Sequence, residues 1–212
     1  MSNDLVFYTN PMSRGRIIRW MLEEVRQPYE TVLLDYGTTM KAPEYLAINP
    51  MGKVPAIRHG DTVVTEAGAI CAYLADAFPQ TGLAPSVGSQ MRGPYYRWLF
   101  YAAGPVEQAI TNQAMGWEPP EDRRAMVGYG CLDDLVGVLE GALAGREFLI
   151  GDSFTAADLY VGAHLGWGMQ FNSIPKRPVF EAYVARLQAR PAAMRANQID
   201  DALMPAQPQP AG

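Results

Sequence analysis

Three short stretches carry the residues whose types and spacing could do chemistry. The first is Thr9-Asn10-Pro11-Met12-Ser13-Arg14, which runs from an apolar segment into a helical pattern. Ser13 stands at the helix start, where a serine ordinarily caps free backbone N–H groups. The same position allows a second role. A hydroxyl beside a helix N-terminus can donate to a thiolate, and together with the helix dipole it lowers the thiol pKa. The second stretch is Asn49-Pro50-Met51-Gly52-Lys53-Val54-Pro55. A proline one residue into a strand-like run costs a ladder hydrogen bond, so Pro55 fits either as an edge-strand proline or as a cis-proline in a sharp turn. In the cis case the N–H and C=O of Val54 face outward and could pair with an extended peptide by strand addition. The third stretch, Thr65-Glu66-Ala67, opens another helix. Backbone N–H groups there attract a carboxylate, although Glu66 fits equally as an acidic residue favoured by the dipole.

These stretches need elements to hold them. Leu5 to Tyr8 is a β-branched and aromatic run ended by Asn10-Pro11. From Ser13 the residues Ile17, Ile18, Met21, Leu22 and Val25 fall on one helical face, with Arg19 and Glu23 expected as an outer i, i+4 pair. Tyr29 to Leu34 is a strand, followed by a short helical turn at Ala42 to Ala47. Val54 to Ile57 and Thr62 to Val64 form a hairpin through His59-Gly60-Asp61, and a helix from Glu66 or Ala67 runs to Pro79. A βαβ start requires a parallel pair and a tight hairpin an antiparallel one, so a mixed four-stranded sheet of thioredoxin-like form is expected over 1–79.

Residues 80–89, with Gly82, Pro85 and Gly88, are expected as a linker. The helices expected beyond it are Gln90 to Met115, Pro120 to Leu143, Ala156 to Met169, Pro178 to Leu187 and Ala192 to Leu203, giving an all-α domain over 90–204. Thr155 and Asp158 have capping-box spacing, and Phe154 with Leu159 can close a hydrophobic staple around them. The tail 205–212 holds three prolines and is expected to be disordered.

Composition narrows the function classes. The chain has 212 residues, 49% hydrophobic and 18% charged, with a formal net charge of -5, which argues against a generic nucleic-acid binder. Arg14, Arg16 and Arg19 are a local exception. They fit a solvated face with ion pairs or a basic rim that steers an anion. Residues 1–4 lead straight into the apolar run without a basic stretch, so no signal peptide is expected, and no run reaches the roughly eighteen apolar residues of a membrane span. Cys71 and Cys131 lack metal-ligand spacing, and His59 with His164 cannot build a metal site alone, so free thiols in a reducing cytoplasm and no metal are expected.

The loop and helix over 8–24, the Asn-Pro-x-Gly-Lys-Val-Pro segment at 49–55, the Glu66-Ala67 turn and the capping box at Thr155 stand in the order found in cytosolic glutathione S-transferases. The chain resembles that superfamily, in its bacterial form, to about Leu203. The resemblance implies a cis Pro55, with Val54 pairing through its backbone to the cysteinyl part of glutathione. It implies that Glu66 and Ala67 receive the γ-glutamyl group and that Lys53 contacts the glycine end. Ser13 matches the position that activates the sulfur, with Thr9 and Asn10 close enough to be rivals. It further implies a detoxifying homodimer in the cytoplasm with glutathione as co-substrate, acting on a small hydrophobic electrophile. The second-substrate candidates are Met12, Tyr101, Met115 and Trp117, with Trp167 and Phe171 as later possibilities.

Two departures bear on activity. Many relatives place serine after the acidic residue, whereas Ala67 keeps only its backbone donor, a loss of roughly 1.5–3 kcal/mol if nothing replaces the hydroxyl. The loop has no cysteine, which disfavours a thiol relay by the protein. The alternatives to conjugation are glutathione-dependent reduction of a disulfide or peroxide, and a non-catalytic binding module that keeps the fold.

Overall fold

A computed structural model describes residues 4–204. The expected disorder of 205–212 therefore concerns residues outside those described. The chain clusters into two compact units, one made of the chain up to Ile70 with the segment from Pro191 onward, the other of Cys71–Arg190.

The first unit is built on β1 (Leu5–Thr9), α1 (Gly15–Val25), β2 (Glu30–Leu33), α2 (Pro43–Leu46), β3 (Ala56–His59) and β4 (Thr62–Thr65), and its last element is α9 (Pro191–Ala202). The strands form one sheet in the order β2-β1-β3-β4, with β1 and β2 parallel and the other pairs antiparallel. This is the expected mixed sheet. The five apolar residues expected on one face of α1 are all buried, as is Trp20, and the helix stops where Arg26 turns into the left-handed region at φ 58°. One face of the sheet buries Val6, Tyr8 and Ala56 with Leu34, Met40 and Tyr45.

The expected Arg19–Glu23 pair does not form. Arg19 is 1% exposed, and its Nε lies 3.1 Å from Asp200 Oδ1 on α9. Its Nη1 donates to Tyr29 Oη and Thr31 Oγ1, and its guanidinium lies 4.9 Å from the centroid of the Phe7 ring. Burial at the sheet–helix interface removes Arg19 from any basic rim. Glu23 instead accepts from Tyr29 and pairs with Arg195 of α9.

The chain passes to the second unit along α3 (Ala67–Ala77). Its helices are α4 (Arg92–Tyr101), α5 (Glu107–Ala114), α6 (Leu132–Leu143), α7 (Ala156–Gln170) and α8 (Pro178–Gln188). Two expected long helices are broken. Residues Ala102–Val106 form a π turn containing Pro105, whose missing N–H interrupts the ladder between α4 and α5. The stretch expected as helix from Pro120 is a 3-10 turn over Glu121–Met126, and α6 starts only after Gly130, at φ 68°. The capping box forms as expected: Thr155 Oγ1 accepts from Ala157 N and Asp158 Oδ2 accepts from Thr155 N. No helix of the described residues is long and apolar enough to cross a membrane.

Candidate functional site

The sheet register brings the three chemistry-bearing stretches to one end of the first unit. Tyr8 faces Ala56, and Ala56 faces Thr65. The loop leaving β1, the segment entering β3 and the turn leaving β4 therefore share an edge. The peptide between Val54 and Pro55 is cis. Among the described residues, neither the N–H nor the C=O of Val54 has a hydrogen-bond partner.

That segment is tightly held just upstream. The carbonyl of Lys53 accepts from Tyr45 Oη at 2.6 Å and from Asn49 Nδ2 at 2.7 Å. Asn49 Oδ1 accepts from Met51 N, and Gly52 sits at φ 56°, where a Cβ would lie 2.7 Å from the carbonyl oxygen of Met40. Glycine is therefore required on both counts. Burial pushes the Tyr45 hydroxyl up to about 12, so it remains a donor at neutral pH. The Lys53 side chain is exposed.

In the loop after β1, Asn10 is fully engaged with backbone. Its Nδ2 donates to Leu34 O at 2.8 Å, and its Oδ1 accepts from Met12 N at 2.9 Å. Ser13 Oγ donates to Asn10 O at 2.7 Å and accepts from Gly15 N at 2.9 Å. Thr9 is fully buried, and its Oγ1 has no partner among the described residues. A Cβ on Gly15 would collide with Thr9 Oγ1 and crowd Ser13 Oγ, so glycine at the first position of α1 lets both hydroxyls approach the helix start.

At the third stretch α3 begins at Ala67, so Glu66 is the cap and its carbonyl accepts from Ile70 N at 2.9 Å. Glu66 is exposed and lies in the left-handed region at φ 66°, a conformation costing on the order of 1–2 kcal/mol for a residue with a Cβ. The first-turn N–H groups of α3, like those of any helix start, have no acceptor within the helix upstream of the cap.

Comparison with known proteins places the chain in a family. Residues 7–82 match the family described as glutathione S-transferase, N-terminal domain, and residues 125–191 match glutathione S-transferase, C-terminal domain. Glutathione S-transferase GstA of Escherichia coli O157:H7 is 30% identical over 162 residues, covering 76% of this chain and 77% of that protein. The chain belongs to the glutathione S-transferase family. Among solved structures, a glutathione transferase of Methylococcus capsulatus superposes with a TM-score of 0.78 at 31% identity, covering 93% of this chain and 99% of that one. A sphingomonad glutathione S-transferase, solved in complex with glutathione, superposes with a TM-score of 0.76 at 26% identity, covering 92% and 98%.

Within this glutathione S-transferase, the site residues expected from sequence divide between the units. Thr9, Asn10, Met12, Ser13, Lys53, Val54, Pro55, Glu66 and Ala67 belong to the first, and Tyr101, Met115 and Trp117 to the second. Met12, Met115 and Trp117 are exposed, and Tyr101 closes α4 half-buried. Among the described residues no group of three or more His, Cys, Asp or Glu is placed to hold a metal ion. Sequence reasoning missed Tyr45, Asn49 and Gly15 as the residues that shape the site. The glycine just past a capping serine was a readable signal; Tyr45 reads only as an apolar position of a short helix.

Proposed function

We propose that this glutathione S-transferase binds glutathione along the shared edge, stabilises its thiolate and adds it to a small hydrophobic electrophile. The observation that carries the proposal is the convergence at one sheet end of an unpaired Val54 backbone, a hydroxyl-lined loop and the start of α3. Val54 N–H and C=O would pair with the cysteinyl residue. The γ-glutamyl carboxylate would take the N–H donors at Ala67, with Glu66 facing its ammonium group, and Lys53 would meet the glycyl carboxylate. Ser13 is assigned as the thiolate donor: at 7% exposure it is more accessible than the fully buried Thr9, and its proton would turn from Asn10 O to the sulfur. The thiol proton leaves to solvent, the sulfur lone pair forms the new carbon–sulfur bond, and the electrophile gives up its leaving group (halide ion, for an aryl halide) or, in an addition, takes a proton from solvent. Thr9 is the second assignment, favoured by its unspent hydroxyl. Asn10 shapes the loop through bonds already made.

For the second substrate, Met12, Tyr101, Met115 and Trp117 offer apolar and aromatic surface. On this reading 1–79 is the glutathione-binding domain and 90–204 the helical domain, joined through 80–89, in a cytoplasmic protein whose homodimeric state sedimentation would test. Calorimetry with glutathione, followed by turnover of a chromogenic aryl halide and of a disulfide, tests the chemistry. Turnover of the halide supports conjugation, and turnover of the disulfide alone supports the reductase alternative. Tight binding without turnover of either makes the chain a binding module, and absence of binding overturns the proposal.

A further inference from the structure

We propose that Arg16 is a positioning residue for the loop that carries Ser13, and that Asp201 on the last helix holds Arg16 in that role. The inference rests on the assignment of that loop to thiol activation. Arg16 Nε donates to the carbonyl oxygen of Pro11 at 2.7 Å, while its Nη2 lies 2.8 Å from Asp201 Oδ1. Pro11 lies between Asn10, whose carbonyl oxygen receives the Ser13 hydroxyl proton, and Met12, whose N–H is held by the Asn10 side chain. Its carbonyl is thus the point at which a side chain from α1 ties down the middle of the loop. The planar guanidinium serves that carbonyl from Nε and the carboxylate from Nη2 in one fixed geometry, whereas a lysine ammonium would have to present both donors from a single nitrogen on a flexible stem.

The register of α9 on α1 explains why Asp201 is available. Three ion pairs join the helices in antiparallel order: Glu23 with Arg195, Arg19 with Asp200, and Arg16 with Asp201. The central pair is buried at both partners and fixes the register, which carries the adjacent Asp201 to the loop end of α1. Asp201 itself is 67% exposed at its side chain. An exposed pair of this kind contributes little to global stability. Its consequence is local: it orients a guanidinium whose other edge fixes the loop. The C-terminal helix thereby sets the geometry around Ser13 from the far end of the sequence.

The test uses the full chain with Arg16→Lys, Asp201→Asn, the double variant, and Arg195→Gln, which opens the α1–α9 seam at its other end. Two readouts are taken: amide exchange at Met12 and Ser13 in ligand-free protein, and the pKa of the glutathione thiol on the enzyme from thiolate absorbance. Arg16→Lys is expected to speed exchange at both amides, raise the bound thiol pKa and lower kcat/KM for glutathione about tenfold, the scale of one lost charge-assisted bond. Asp201→Asn is expected to do the same about threefold, as an exposed pair allows. The double variant should be no worse than Arg16→Lys alone, because both act through one contact. High salt should move the wild type toward Asp201→Asn and leave that variant unchanged. Arg195→Gln should keep the wild-type loop exchange and thiol pKa.

Unchanged exchange at Met12 and Ser13 in Arg16→Lys overturns the inference whatever the ligand does. So do additive effects of the two substitutions, or an Arg195→Gln effect equal to that of Asp201→Asn. A wild type that binds no glutathione overturns the functional proposal instead, and the exchange measurement still decides whether Arg16 positions the loop.

Discussion

Two helix starts in this molecule solve the same problem in opposite ways. At α7, Thr155 and Asp158 cap each other's backbone, and the buried Asp158 carboxylate also accepts from Leu149 N and Tyr183 Oη. Four donors, counting the Thr155 hydroxyl, converge on one side chain. At α1 the cap residue, Arg14, makes no side-chain cap bond, Ser13 bridges Asn10 O and Gly15 N with one hydroxyl, and a fully buried Thr9 hydroxyl is left without a partner among the described residues. A saturated cap is a folding device with nothing left to offer a ligand. A cap that keeps a spare hydroxyl at a helix N-terminus costs stability and holds chemistry in reserve.

Breaking the saturated start should give the largest effect. Asp158→Ala leaves the N–H groups of Leu149 and Thr155 and the hydroxyl of Tyr183 buried without an acceptor, at about 1–3 kcal/mol each, so a loss of about 4 kcal/mol is expected. Urea unfolding measures it, and the protein that remains folded should keep its kcat. A loss under about 1 kcal/mol would mean that the box is ornamental and the contrast is false.

The α1 start is stabilised from further away, through α9. Arg19→Ala should cost about 3 kcal/mol by leaving Asp200 buried and unpaired. Burial pushes the Asp200 carboxyl above its usual range, while Arg19 pulls it back. Removing Arg19 raises the folded-state value further. A folded pKa above the unfolded one means that the folded state binds the proton more tightly, so stability is regained as pH falls through that window. The deficit of Arg19→Ala against wild type should be largest at neutral pH and shrink toward the ordinary carboxylate range. A deficit that grows on acidification would show that the pair is not the cause.

The same contrast explains what could be read from the sequence. The α7 start was legible because its capping box lies within Thr155 to Asp158, at the fixed offset that a helix imposes. The mixed sheet was legible from the βαβ start and the tight hairpin, and the Lys53-Val54-Pro55 segment from a proline where a ladder bond should be. The clasp on α1 was not. Arg19 and Asp200 stand 181 residues apart, and nothing local distinguishes Asp200 from a solvated acid or Arg19 from the outer partner of Glu23. The break between α4 and α5 was marked by Pro105, yet proline alone does not say whether a helix ends or re-forms through a wider turn. Tyr45 escaped notice because its hydroxyl acts on a carbonyl brought close only by the fold.

Crowding the unsaturated start should hurt function more than fold. In Gly15→Ala the new methyl group meets the Thr9 and Ser13 hydroxyls together, and relieving that overlap should cost about 1–3 kcal/mol. Because the two hydroxyls are displaced, kcat/KM for glutathione should fall by more than about tenfold, beyond what the remaining folded fraction explains. Parallel losses of stability and activity would mean that the loop is only a turn.

The two hydroxyls at the α1 start differ in what their removal should do. Thr9→Val removes an unpartnered buried hydroxyl and keeps the side-chain shape, so the fold should be unaffected or gain up to about 1 kcal/mol. Ser13→Ala removes a hydroxyl that makes two hydrogen bonds and should cost about 1–2 kcal/mol. If Ser13 supplies the thiolate donor, Ser13→Ala raises the pKa of the bound thiol and slows conjugation, while Thr9→Val leaves both unchanged. If Thr9→Val instead stabilises the protein and raises the thiol pKa, the spare hydroxyl is the donor and Ser13 is its scaffold. The two variants separate these cases because stability and thiol pKa rise together only for a group kept unsatisfied on behalf of a ligand.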